Sequence, residues 1–192
     1  MTSQRLFRYL RSDFGEIPVR VRHMDLIFDV EVEKTTVHSK LHLESKDTPL
    51  SALTLNANNL EILSIACDRF PVSYTYDRDD SFLNLSFAAP VPPETKFVVE
   101  TVTVCRPTAN ILEGLYYDAT PEGAPPQQIT QCQQWGFQRL VPCIDDMTAK
   151  CTYTTTITAD AAYTNIISNG DVAVGRHPAG GGRDTITYHN CT

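Results

Sequence analysis

With 192 residues, 42% of them hydrophobic and 20% charged, the chain is long enough to bury a real core and too apolar to be disordered. Its formal net charge of -7 argues against nucleic acid as a partner class, since phosphate binding needs a basic face. No apolar run reaches the length of a membrane span, and MTSQRLFRYLRSDFG lacks the uninterrupted apolar stretch of a secretion signal.

Cys67, Cys105, Cys132, Cys143, Cys151 and Cys191 form no C-x-x-C pair and no tight cluster with histidine. Without a secretion signal they read as reduced thiols of a cytoplasmic protein rather than as a disulfide framework. On the same ground, the glycosylation-type triplets at Asn84-Leu85-Ser86 and Asn190-Cys191-Thr192 are chance matches.

Residues 1–19 are mixed and basic and read as a lead-in arm ending at Ile17-Pro18. Alternation then sets in. Met24, Leu26, Phe28, Val30 and Val32 share one face, while His23, Asp25, Asp29, Glu31 and Glu33 dominate the other, the signature of a half-buried strand. Lys34-Thr35-Thr36 turns the chain. Val37, Ser39, Leu41 and Leu43 continue the apolar face, with His38, Lys40, His42 and Glu44 outward, so the two runs make an antiparallel hairpin. His38 and His42 have the i, i+4 spacing of a helical zinc pair, but on a strand four residues span about 13 Å, too far for one metal. They read as solvated strand residues.

Shorter strands follow at Leu53–Leu55, Leu60–Cys67, Val72–Tyr76, Phe82–Phe87 and Phe97–Cys105, separated by turn-rich pieces such as Asp77–Ser81 and Val91–Thr95. No helical period intervenes. The class is all-β and antiparallel, in a single domain. After Cys105 the pattern loosens through Asn110–Asp118 and a Pro/Gly loop at Ala119–Pro126. Lys150–Ala159 is strongly β-prone, Asn169-Gly170 predicts a two-residue hairpin turn, and Pro178–Arg183 reads as a flexible tip. A strand begins at Thr185 and runs to Thr192 without turn or cap, as in a piece of a longer protein.

The chemistry concentrates in Gln127–Asp146, QQITQCQQWGFQRLVPCIDD, which holds the only tryptophan. Gln131 and Gln133 lie two apart, so an extended backbone points both amides to one uncharged face. That face is either a binding surface or a polar edge strand facing water, and pattern alone favours the edge strand. Asp145-Asp146 could act as paired carboxylates, but their place before a turn fits turn formers or caps better. No H-E-x-x-H, no G-x-S-x-G and no phosphate-binding glycine loop is present. By residues alone the chain can bind, and it has no catalytic residue and no metal site.

Glu113-Gly114-Leu115-Tyr116, Thr130-Gln131-Cys132-Gln133, Gly136-Phe137-Gln138-Arg139, Thr152–Ala159 and Ile167-Ser168-Asn169-Gly170 occur in that order. The order resembles the N-terminal domain of zinc aminopeptidases of the aminopeptidase N family, which includes leukotriene hydrolase. The resemblance covers residues 20–192 in strand order and is specific between Gly114 and Gly170, with His189–Thr192 matching the family's closing strand. It implies a saddle-like antiparallel β-sandwich docked on a catalytic domain that carries the zinc and is absent from this chain. It implies further that Gln131 and Gln133 contact the free N-terminal amine and first side chain of a peptide substrate. A non-proline cis peptide at Gln133-Gln134 is also implied.

Two positions depart from the pattern: Gln133 stands where glutamate is commoner, and Cys143-Ile144-Asp145-Asp146 replaces a D-R-P-D turn. The chain alone is then expected to be inactive and to bind no zinc. The alternative is a free-standing β-sandwich interaction module without catalysis. Trp135 and Phe137 are either core residues or part of a docking face.

Overall fold

The structure, a computed structural model, describes residues 15–109, 111–118, 120–124 and 127–190. Most of the expected lead-in arm lies outside them, as do Asn110, Ala119, Pro125, Pro126, Cys191 and Thr192.

Alternation sets the first elements. β1 (Val19–Val30) and β2 (Thr35–Ser45) pair antiparallel, with Leu26 opposite Ser39 and Phe28 opposite Val37. Met24, Leu26, Val37, Ser39, Leu41 and Leu43 are all buried, as the period of two requires. The lead-in arm gives way to strand at Val19, one residue sooner than the sequence indicates. The turn also comes earlier than expected: Glu31 N donates to Lys34 O at 2.9 Å, and Thr35 is already buried in β2. Val32, counted with the apolar face, therefore stands 67% exposed in the turn.

β3 (Leu50–Asn56), β4 (Glu61–Cys67), β5 (Val72–Asp77), β6 (Phe82–Val91) and β7 (Lys96–Cys105) follow. β7 and β4 extend the first sheet beyond β2, while β3, β6 and β5 form a separate three-stranded sheet. Leu41, Leu43, Phe97 and Val99 from the large sheet and Leu53, Leu55, Leu83 and Leu85 from the small one form a single buried cluster. Each such side chain contributes about 1.5–3 kcal/mol of burial. Phe70, Phe87 and Phe97 meet edge to face with centroids 5.7–6.4 Å apart, the arrangement that aromatic quadrupoles favour.

β8 (Gly114–Asp118) and β9 (Gln127–Gln131) make a two-stranded ribbon of their own. β10 (Thr152–Asp160), β11 (Asp171–Gly180) and β12 (Arg183–Asn190) complete the large sheet in the order β11-β12-β10-β1-β2-β7-β4. The all-β class holds, with one correction. β10 pairs with β1 in parallel, Leu26 opposite Thr155 and Phe28 opposite Ile157. Parallel neighbours need a long connection, and here the whole of β2–β9 supplies it.

Asn169-Gly170 is not a hairpin turn. Residues 161–170 swing off the sheet, and Ile166 enters a second small core with Ala159, Ile186 and Tyr188, whose hydroxyl donates to Ile166 O at 2.8 Å. The hairpin turn lies instead at Gly181-Gly182, with φ of +60° and +73°, where a two-residue turn needs left-handed backbone at both positions.

Candidate functional site

The focal segment is held by three sets of contacts. At its start, Gln128 Nε2 donates to Glu31 O at 3.0 Å and the Tyr117 hydroxyl donates to Val32 O, tying the β8–β9 ribbon to the β1–β2 turn. In the middle, Gly136 packs on the end of β9. Its N–H donates to Cys132 O at 3.0 Å, and a Cβ there would lie 1.9 Å from Gln131 O. A single 3-10 turn, Phe137–Arg139, follows, and Arg139 Nε reaches Glu113 at 3.2 Å. At its end, Cys143 and Asn56 exchange backbone hydrogen bonds at 2.7 and 3.0 Å, docking the segment on β3.

Gln131 closes β9, but Gln133 lies in the turn beyond it, so the extended-strand argument for their shared face does not hold. The turn itself brings them together. The Gln133-Gln134 peptide is cis, and Gln131 Nε2 donates to Gln133 O at 3.1 Å. With its nitrogen so engaged, the Gln131 amide presents its oxygen as a free acceptor. Both glutamine residues are exposed.

Gln133 stands on the wall of an open cavity of about 850 Å³. Leu26, Phe28 and Val30 of β1 and Tyr153, Thr155 and Ile157 of β10 line one side, and residues 165–169 another. The apolar face of β1 thus serves two purposes, core at Met24 and cavity wall farther on. Phe137 packs edge to face on Tyr153 at 6.0 Å and against the main core, while Trp135 remains 37% exposed. The two aromatic residues therefore have different surroundings.

Sequence reasoning passed over one cavity residue. Asp145 and Asp146 differ sharply. Asp146 is the turn former: it accepts from Thr148 N at 2.7 Å and Thr148 Oγ1 at 2.5 Å, and these bonds hold its carboxyl below the usual range. Asp145 lines the cavity with Gln133, and burial pushes its carboxyl up against the opposing hydrogen bonds from Gln138. Its backbone N–H is fixed by Asn56 Oδ1 at 3.1 Å. The one sequence signal was its position directly after the apolar run Val141-Pro142-Cys143-Ile144.

Cys67, Cys105, Cys132, Cys143 and Cys151 are free thiols, and burial pushes each of them up. Among the described residues, no three His, Cys, Asp or Glu side chains stand where they could share a metal ion, so these residues do not fit a zinc site. His38 and His42 fall on a strand, as the spacing argument required. Among the described residues, no helix is long and apolar enough to cross a membrane.

The Peptidase M1 N-terminal domain family matches residues 21–190. Aminopeptidase N of Caulobacter vibrioides is 27% identical over 83% of this chain, and aminopeptidase N of Escherichia coli is 27% identical over 89%. The chain spans only 18% of the length of either relative. Among solved structures, Legionella pneumophila aminopeptidase A in complex with aspartic acid aligns over 94% of this chain and 20% of its own, at 21% identity and TM-score 0.77. An M1 zinc metallopeptidase of Deinococcus radiodurans aligns over 90% of this chain and 39% of its own, at 16% identity and TM-score 0.72. These two likenesses bear on the fold. The family match spans nearly the whole described chain, and the chain belongs to the Peptidase M1 N-terminal domain family.

Proposed function

We propose that this domain contacts the substrate in a zinc-dependent aminopeptidase that removes N-terminal amino acids from peptides, with zinc and catalysis supplied by the rest of the parent protein. The observation that carries this reading is Gln133 on the wall of a cavity, with its backbone oxygen accepting from Gln131 Nε2, so that the Gln131 amide oxygen points away from that bond as an acceptor. An ammonium is a donor only, so a peptide's free N-terminus needs acceptors, and amide oxygens serve at lower strength than carboxylates. Gln131 and Gln133 would fix the amine, while the cavity receives the first side chain. Bound zinc would supply Lewis-acid polarisation of the scissile carbonyl and activation of water. The 192-residue chain alone is expected to be inactive and to take up no stoichiometric zinc.

The test uses the full-length parent and a leucine anilide substrate. Gln133→Ala lowers kcat/KM by about tenfold or more, the worth of one hydrogen bond to a charged group, and Gln133→Glu raises it. Unchanged kinetics in both variants, or a reading frame with no H-E-x-x-H beyond Thr192, would overturn the reading.

A further inference from the structure

The glutamine pair offers acceptors but no charge, and the cavity holds a carboxylate, Asp145, that Gln138 satisfies only in part. Asp145 lines the same cavity as Gln133 and sits near Cys132, the residue between the two glutamines. Its Oδ2 is withdrawn from solvent and has no hydrogen-bond partner. Gln138 donates to the carboxyl, but the desolvation of Oδ2 itself is not repaid by a donor, which is costly. Its neighbour Asp146 is fully engaged with Thr148, so the two acidic residues do not share one structural task.

We infer that Asp145 supplies the negative charge of the amine subsite, taking the place of the carboxylate missing at Gln133 and giving the cavity a preference for ammonium groups. The inference rests on the proposed role of Gln131 and Gln133 and names the charge that role lacks. Cation and carboxylate need not touch. A carboxylate as withdrawn from solvent as Asp145 is screened less than an exposed one, so its charge acts across several ångströms. The other titratable groups around Asp145 are Asp146, Cys132 and Cys143. The burial-raised thiols of Cys132 and Cys143 are neutral near neutral pH, so Asp145 is the only charge among them that lines the cavity.

The same ligand chemistry has two sources, the α-amine of an N-terminal residue and the side-chain amine of a lysine. Titrations of the isotope-labelled 192-residue chain at pH 6.5 with leucinamide, N-acetyl-leucinamide and N-acetyl-lysine methylamide separate them. They are followed by amide shifts of residues 131–133 and by the carboxyl titration of Asp145.

The expected result is that leucinamide, N-acetyl-lysine methylamide or both shift residues 131–133 while N-acetyl-leucinamide does not. The binding amine lowers the Asp145 pKa, and Asp145→Asn weakens binding by the factor that this fall implies, about tenfold for about one unit. Which amine acts tells the source, and either one supports the inference. Should neither amine move residues 131–133, the reading of the glutamine pair fails and this inference with it. Should an amine shift those residues with no change in the Asp145 titration and equal affinity in Asp145→Asn, only the inference fails. Equal binding of N-acetyl-leucinamide also overturns it. The wild-type titration decides the matter even if the variant does not fold.

Discussion

Gly136→Ala adds one methyl group to the turn that joins β9 to the 3-10 segment. Backbone conformation is no obstacle, since Gly136 has φ of -75° and ψ of -24°, which any residue adopts. Space is the obstacle. The added Cβ would lie 1.9 Å from Gln131 O, 2.9 Å from Gln131 C and 2.7 Å from Gly114 N. Reaching an ordinary contact of about 3.4 Å requires a shift of roughly 1.5 Å, and the obstructing atoms are backbone, which cannot rotate away. Overpacking of this kind costs about 1–3 kcal/mol, and the upper part of that range applies here. For a domain of this size about 2–3 kcal/mol lowers Tm by roughly 5–10 °C.

The displaced atom belongs to Gln131, so the damage lands on the candidate site. Trp135, the only tryptophan and the neighbour of Gly136, reports it by fluorescence. Gly175→Ala is the control, with nothing within 4 Å of its added Cβ. Thermal melts of both variants, read at the tryptophan, test the reasoning. A Gly136→Ala protein melting within about a degree of wild type, with an unchanged emission spectrum, would refute it.

Asp145 has its folded carboxyl above the ordinary value of 3.8, so folding is favoured by protonation and opposed by ionisation. Asp145→Asn is therefore expected to gain stability over wild type as pH rises through the folded pKa, and to match it below 3.8; a pH series of urea melts checks the sign. Asp25 is the opposite case: burial opposes its charge, but hydrogen bonds and charges from His42 and His23 outweigh burial and lower it overall. Its contribution is present above 3.8 and lost as pH falls through the lower folded value, and because the Asp25 side chain is itself over a third exposed, Asp25→Asn costs no more than about 1 kcal/mol at pH 7. Arg176 donates to Asp184 at 2.7 Å and to the carbonyls of Ala161, Tyr163 and Thr164 at 2.7–3.0 Å, so Arg176→Ala costs about 1.5–3 kcal/mol and speeds hydrogen exchange across residues 161–166. Arg176→Lys restores little, since an ammonium cannot span four acceptors in a plane.

The sandwich was legible where neighbours in sequence are neighbours in space. β1 and β2 share a face because a period of two and a short turn leave them little choice, and β5 and β6 follow by the same rule, whereas the β3–β6 and β4–β7 pairings skip neighbours in the chain and were not legible. The β1–β10 pairing was not legible, because strand direction depends on how the chain returns, which no local pattern encodes. Asn169-Gly170 misled for a related reason. The dipeptide tolerates left-handed backbone, and Gly170 does take φ of +94°, but burial of Ile166 decides which strands flank it. At the site, Gln131 and Gln133 were visible as residues, but a shared strand face was not the right ground for joining them: Gln133 lies in the turn beyond β9, where its backbone oxygen accepts from Gln131 Nε2. Asp145 stayed hidden because a carboxylate beside a turn is usually part of the turn, and here only Asp146 is.

The β11 edge of the large sheet is where its ladder is least regular. β11–β12 breaks register at three places and β4–β7 at one, against a single break inside, between β1 and β2. β11 also carries Pro178, which has no N–H to offer a further strand, and all of its residues face solvent. A straight edge would be a template on which another extended chain could continue the sheet. Kinked and proline-bearing edges make such propagation unfavourable, so the irregularity of β11 protects a strand-rich protein against aggregation while the central strands do the packing.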